Sequence, residues 1–474
     1  ELSGQALREC LARLTRPDIE HLPRLVFAEL QAEGSGGFGS LPIHQNLLLA
    51  QLDELLALRP DLLNNGDFVA VYLAKLAPGA DENWPADPAA KQAWLDRLEA
   101  FTGRLNPAGN SLKACVLYHR LLLDRTLGVR DKNRFMAYLR LPRNVPYISR
   151  DFMKRPENRN FAADLELTCG GLPPIRDDQK LVRDYLEHFF ITEESHQPYA
   201  EFLDERYLKR VFAETKILHG IGDLETWAAW LTPGDFQQLK ERVEIQFDPT
   251  NKEQFGAGDP ASIKVWTKNT GTLIARVFEV NTDAFYRRYQ REINTDIDLD
   301  GLVANEEQVY TSEDPPYRKV LRTLEFPGIG RRGVYVIELI GNGKSSRAII
   351  RKGALTCLSR TSTAGQVFTV LDENGAQVNT PSIWMAGHEF KADEEGQITL
   401  PFSTEPREEV LVLSDGAFSD LARFSHQGEA YTLSAGFLIE RESLRQGGAA
   451  RVGVRPALYL NGVPVTLSVL EEPK

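Results

Sequence analysis

The sequence predicts a multidomain chain in which an N-terminal all-α helical domain is followed by serial antiparallel β-sandwich domains. Three observations carry this expectation. Apolar residues recur with the period of a helix up to about residue 242, and with a period of two from Val243 onward. Helix start and stop signals crowd the first half, whereas Asn374-Gly375, Asp415-Gly416 and Asn461-Gly462 punctuate the second as hairpin turns. The later strand-like runs follow one another with no helical pattern between them, which implies sandwiches rather than a doubly wound sheet. The expected partition is 1–242 helical, 243–353 a first sandwich and 354–474 a second sandwich region. The stretch after Glu429 either completes that second region or opens a third unit.

Within the helical half, Asp87-Pro88 pairs an N-cap with a proline at the first helical position. Trp94, Leu95, Leu98 and Phe101 then form one apolar stripe, and Gly103 closes it. Leu48, Leu52, Leu55 and Leu56 mark an earlier helix that Pro60 stops, and Asp67 is expected to cap 68–76. Ser111 opens a helix carrying Leu112, Cys115 and Leu122 up to Gly128. Later helices are expected over 179–190, 199–219 (ended by Gly220), 223–231 and 232–239. This makes about nine or ten helices with the short connections of antiparallel neighbours. No repeat of about 33–45 residues is visible, so a regular solenoid is not supported. Five prolines in 142–174 predict an irregular stretch.

In the second half, Val243-Glu244-Ile245-Gln246-Phe247 alternates apolar and polar residues, as do Ile263-Lys264-Val265-Trp266 and 334–339. Further strands are expected at 273–280, 321–326, 348–351, 367–371, 410–413, 431–440 and 463–470.

Composition narrows the function classes. The 474 residues are 42% hydrophobic and 26% charged, as in a globular protein of roughly three domains. A transmembrane span needs about 18–20 consecutive apolar residues, and no such run exists. Lys+Arg 55 against Asp+Glu 67 leaves a net charge of −12, which argues against a uniformly basic nucleic-acid binder. The four cysteines, Cys10, Cys115, Cys169 and Cys357, include no C-x-x-C pair. A zinc ribbon or thiol redox motif is therefore not expected, buried or idle thiols are, and the disulfide state stays open. The chain begins at Glu1 without a basic-then-apolar leader and ends on Glu471-Glu472-Pro473-Lys474 after a strand, which reads as a segment of a longer protein.

Several motifs invite chemistry. Gly341-Asn342-Gly343-Lys344-Ser345 imitates a phosphate loop, but it runs into the strand-like Arg347-Ala348-Ile349-Ile350 instead of a helix, so a hairpin turn is expected. Asp296, Asp298, Asp300, Gly301 and Glu307 match the calcium-loop spacing. Ile297 and Leu299 alternate with the aspartates as in a strand with one wet face, so a calcium site and a solvated acidic edge both remain open. Tyr118-His119-Arg120 lies on a helix and supplies residue types used by polysaccharide lyases. Consecutive helix positions point about 100° apart, however, and do not converge easily. Ser195-His196 and His388-Glu389 form no nucleophile pair by adjacency alone, and no G-x-S-x-G elbow occurs. Trp227 and Trp230, at i and i+3, read as core packing. No catalytic, cofactor-binding or metal residue is assigned, and no cofactor.

The strand half resembles the alpha-2-macroglobulin-like family, especially its large bacterial members. The residues that carry the likeness are Gly333-Val334-Tyr335-Val336-Ile337-Glu338, Ser346-Arg347-Ala348 and Lys352-Gly353. Gly365-Gln366-Val367-Phe368, Ile383-Trp384-Met385-Ala386-Gly387 and Gly396-Gln397-Ile398-Thr399-Leu400-Pro401-Phe402 follow, then Glu429-Ala430-Tyr431-Thr432-Leu433, Arg441-Glu442 and Val454-Arg455-Pro456. The likeness covers about residues 243–470 and implies serial macroglobulin- or immunoglobulin-like sandwiches. The family's thioester motif, Gly-Cys-Gly-Glu-Gln, is absent. Thr168-Cys169-Gly170-Gly171-Leu172 lacks its Glu-Gln, so Cys169 is not a thioester cysteine. The resemblance implies a non-enzymatic scaffold and recognition segment of a protease inhibitor or envelope-defence protein. Its partner would be a protein, a protease or an envelope component, and its location extracytoplasmic. Two alternatives are a polysaccharide-lyase-like enzyme and a calcium-dependent adhesion module.

Overall fold

The computed structural model describes residues 4–79, 84, 87–440, 442, 444 and 447–471. The chain divides into a helical unit, Glu1–Arg242 with Pro316–Lys319, and a β unit, Val243–Pro315 with Val320–Lys474.

The helical unit contains two apolar cores. Leu22, Val26, Leu52, Leu55, Phe68 and Trp94 are among the residues of the first, and Phe135, Tyr138, Tyr185, Phe190 and Phe212 among those of the second. The helix Asn110–Thr126 serves both: Cys115 and Val116 enter the first core, Ala114 and Leu121 the second. Consecutive positions on a helix point about 100° apart, so one helix can present two different faces to two cores. The helix Pro88–Thr102 forms as expected, with the Asp87 side chain accepting from the Ala89 amide at 2.8 Å and Trp94, Leu95, Leu98 and Phe101 buried.

Three helical expectations are corrected. Asn65, not Asp67, caps Gly66–Lys75; its side chain accepts from the Phe68 amide at 2.9 Å, and Asp67 lies inside the first turn where a carboxylate suits the helix dipole. The helix expected from residue 199 begins at Glu205, because Asp204 caps it and Tyr199 belongs to a separate 3-10 turn, Gln197–Tyr199. Fourteen α-helices, rather than nine or ten, precede residue 243 among the described residues. The surplus includes segments such as Pro42–Asn46, Arg150–Lys154 and Pro156–Arg159, too short to display a period. Outside the last two, the proline-rich stretch holds no regular helix or strand.

The β unit opens with a sandwich of two sheets. A three-stranded sheet orders Glu244–Phe247, Ser262–Lys268 and Lys319–Glu325; a five-stranded sheet orders Gln254–Phe255, Lys344–Lys352, Gly333–Gly341, Thr272–Val280 and Glu306–Thr311. Ile245, Val265 and Leu324 from the first sheet pack on Val277, Ile337 and Ile350 from the second. The phosphate-loop lookalike is the hairpin turn of this sheet: Gly341 pairs with Lys344, and Asn342 and Gly343 take φ of 44° and 75°. A second sandwich follows, pairing the sheet Gln397–Leu400, Gly365–Asp372, Leu355–Ser362 with the sheet His388–Lys391, Ser382–Met385, Arg407–Asp415, Phe418–His426. Phe368, Val370 and Ile398 there meet Ile383, Leu411 and Leu413. A third sheet orders Tyr431–Ile439, Val452–Leu460 and Val463–Val465.

The second half is not free of helix. Thr282–Tyr289 forms one between two strands, capped by Asn281, whose side chain accepts from the Ala284 amide at 3.0 Å. The strand expected over 463–470 stops at Val465, and Leu467–Val469 is a 3-10 turn.

Candidate functional site

The residues that the sequence singled out do not converge. His119 Nε2 lies 2.8 Å from the Pro173 carbonyl, and Arg120 pairs with Asp96 at 2.9 Å and Asp124 at 2.6 Å. The Tyr118 ring instead lies 6.4 Å from that of Tyr138, and burial raises its hydroxyl pKa. The Tyr118 and His119 rings also meet edge to face at 5.4 Å, but the polar atoms of His119 and Arg120 go to different partners. Ser195 accepts from the Gln197 amide, while the His196 ring packs on Phe212 and Trp230. Trp227 donates its indole N–H to the Ile221 carbonyl at 2.7 Å and meets Trp230 edge to face.

In the acidic loop, Ile297 and Leu299 pack with Phe278 and Val336, and the aspartates alternate away from them. Asp298 accepts from the Asp300 amide at 3.0 Å, and Glu307, on the strand Glu306–Thr311, pairs with Arg276 at 2.8 Å. No group of three or more His, Cys, Asp or Glu side chains among the described residues is placed to hold a metal. All four cysteines are free thiols. Cys115 and Cys169 are buried together, and the hydrogen bond from Cys169, helped by the neighbouring His119, outweighs the upward push of burial and leaves the Cys115 thiol below its usual range.

A set of polar side chains lies where the first two sandwiches join. On the helix Thr282–Tyr289, Phe285 and Tyr286 share an apolar cluster with Ile293 and Val334 of the first sandwich and Val412 of the second. Around this cluster the contacts are polar. The Ser419 amide donates to Thr282 Oγ1 at 3.1 Å, Arg332 reaches Glu373 at 3.0 Å and Asp415 at 3.1 Å, and Arg287 holds Asp283 at 2.8 Å. Two hollows flank the joint. One, of about 490 Å³, is lined by residues that include Asp283, Arg287, Arg332 and Glu389. The other, of about 320 Å³, includes Glu292, Arg351 and Asp420. Burial raises the carboxyls of both Asp420 and Glu292, although Asp420 accepts the Leu355 amide at 3.1 Å and Glu292 faces Arg351 at 3.2 Å. Arginines and carboxylates pair across the joint, and two hydroxyls lie beside carboxylates, Ser419 Oγ 3.4 Å from Asp283 and Ser382 Oγ 3.3 Å from Glu389. The arrangement ties one sandwich to the next.

Sequence reasoning missed Arg332 and this helix. A signal was present: Asn281-Thr282-Asp283 is an N-cap cluster, Phe285 and Tyr289 stand at i and i+4, and Arg287-Arg288 suit a last turn.

Two family profiles match the chain. One is described as the actin-binding protein F N-terminal domain and matches residues 1–243; the other, the AbpF first immunoglobulin-like domain, matches residues 273–353. A curated protein of Dictyostelium discoideum, actin-binding protein F, is 32% identical over 485 aligned residues, which take in 100% of this chain and 20% of that protein. The chain thus spans about a fifth of that relative. Among solved structures, native alpha-2-macroglobulin from Escherichia coli, domains MG0-NIE-MG1, aligns at 12% identity and a TM-score of 0.28 over 38% of this chain and 64% of its own. A chimeric titin Z1Z2 tandem aligns at 11% identity and a TM-score of 0.23 over 40% of this chain and 100% of its own.

These matches correct the functional expectations. The protease-inhibitor and envelope-defence role of an alpha-2-macroglobulin-like scaffold is overturned, because the matching family and relative carry the name of an actin-binding protein. The lyase and calcium-adhesion alternatives fall with it. A protease or envelope partner and an extracytoplasmic location are likewise withdrawn, since both rested on the alpha-2-macroglobulin likeness and the matching family and relative are named for actin binding. The likeness held at the level of sandwich pattern, which unrelated sandwich proteins share. The names are not those of an enzyme family, in agreement with the expected non-enzyme.

Proposed function

The chain belongs to the actin-binding protein F N-terminal domain family, and on that premise we propose that it is the helical and immunoglobulin-like portion of an actin-binding protein, itself in contact with actin. The observation that carries this reading is the identity of 32% to actin-binding protein F along 100% of the chain. The geometry is consistent with binding rather than turnover. Its serial sandwiches are joined by packing and ion pairs, as suits a module that sets a binding surface at a fixed spacing. The proposed domain division is 1–242, 243–353 and 354–474, with a new sheet opening after Glu429.

The test is co-sedimentation of the 474-residue chain with actin filaments. The chain is expected to pellet with filaments saturably and to stay in the supernatant without them. Failure to pellet at filament concentrations of about 100 µM, above the ordinary range of specific contacts, would remove the direct contact from the proposal.

A further inference from the structure

The third sheet has two unlike faces. Tyr431 lies opposite Leu460, Leu433 opposite Leu458, Phe437 opposite Val454 and Ile439 opposite Val452. Directly paired residues project from the same face, so the odd positions of Tyr431–Ile439 and their partners form one face that is apolar throughout. Val463 and Val465 extend it through their pairing with Leu460 and Leu458. The other face mixes Thr432, Ser434, Arg455 and Tyr459. The apolar face is open to solvent over much of its length: Leu433 is 59% exposed, Phe437 68% and Val454 55%. A contiguous apolar patch on a sheet is a surface that something covers.

The molecule itself indicates what. Its first two sandwiches each close a three-stranded sheet with a second sheet, of five strands in one and four in the other. The third sheet has three strands and, among the described residues, no second sheet facing it. It also runs on from the second sandwich, its first strand starting at Tyr431 after Phe418–His426. The relative extends well beyond the region matched here, which is 20% of its length. We propose that this sheet is the first half of a third immunoglobulin-like sandwich, and that its apolar face is covered by a sheet formed from residues that follow Lys474 in the full-length protein. An immunoglobulin-like sandwich takes about 100 residues and seven strands, so roughly four more strands are required. The inference does not depend on actin binding.

The experiment compares the 474-residue chain with the same chain lengthened by the next ~100 residues its gene encodes. Two readouts are followed: hydrogen exchange of the amides in 431–465, and fluorescence of an anilinonaphthalene sulfonate probe for exposed apolar surface. The shorter chain is expected to bind the probe and to exchange these amides quickly, and Phe437→Ser is expected to lower its probe signal. Lengthening is expected to abolish probe binding and to slow exchange in 431–465 at least about tenfold. Three results overturn the proposal. The gene encodes no further residues after Lys474; lengthening changes neither readout; or the shorter chain already protects the sheet by dimerising, with Phe437→Ser returning it to monomer, which assigns the face to a second copy.

Discussion

Arg143 and Asp178 are both fully buried, with Arg143 Nε 3.0 Å from an Asp178 carboxylate oxygen. Tyr138 donates to the same carboxylate at 2.7 Å and Tyr147 donates to its other oxygen. Arg143 also donates to the carbonyls of Tyr138 and Leu141 and stacks on the Tyr138 ring. This node pins the proline-rich stretch to the second helical core, where regular backbone pairing is sparse. Asp178→Ala would leave the guanidinium buried without a counter-charge, so it is expected to cost about 3–5 kcal/mol. Denaturant unfolding of the full chain measures it; a loss under about 1 kcal/mol would mean that water replaces the carboxylate. Nothing in the sequence marks this pair, because charged residues are almost never fully buried. The opposite happened at Tyr118-His119-Arg120, whose residue types suggested chemistry although His119 is held by the Pro173 carbonyl and Arg120 by Asp96 and Asp124.

At the scale of elements, legibility followed length. The helices Pro88–Thr102 and Gln179–Thr192 and the strands Gly333–Gly341 and Thr272–Val280 carry enough periods to be read directly. The strand Phe418–His426 was not, because it lies at the edge of its sheet and does not alternate cleanly in burial. The helix Thr282–Tyr289 was lost between two strong strands although it holds the joint of the sandwiches. Tyr286 is fully buried there among side chains from both sandwiches. Tyr286→Ala is expected to destabilise the β unit by about 3–5 kcal/mol through the cavity it leaves. It should also expose the connection between Lys352 and Leu355 to proteolysis. A variant that resists protease as the parent does would show that Arg332 and its carboxylates alone suffice to hold the joint.

Across the whole molecule, the buried histidines of the helical unit and two buried carboxyls of the β unit are shifted so as to favour opposite responses to acid. His44, His196 and His219 in the helical unit all have pKa values lowered from 6.5, burial being the largest cause, and His219 falls to about 4 beside Lys319 and Arg318. His44 shows why protonation is resisted: its Nδ1 accepts the Gly39 amide at 2.9 Å, and a proton there would break that bond. The unfolded chain takes up these protons near pH 6.5 while the folded unit does not, so the unit's stability is complete above that pH and declines as pH falls toward 4. The β unit has Asp420 and Glu292, whose carboxyls are raised by burial at the joint. Their penalty applies at neutral pH and is relieved as pH falls through the raised values, so these two groups favour the β unit on acidification. Thermal unfolding followed by far-ultraviolet circular dichroism is therefore expected to show the helical transition moving down between pH 7 and 5 while the β transition holds or rises. His219→Gln should flatten the helical trend and Asp420→Asn the β trend. If the β transition fell first on acidification, burial of these carboxyls would be offset by their contacts to Arg351 and the Leu355 amide, and the joint would be an ordinary salt-bridged interface.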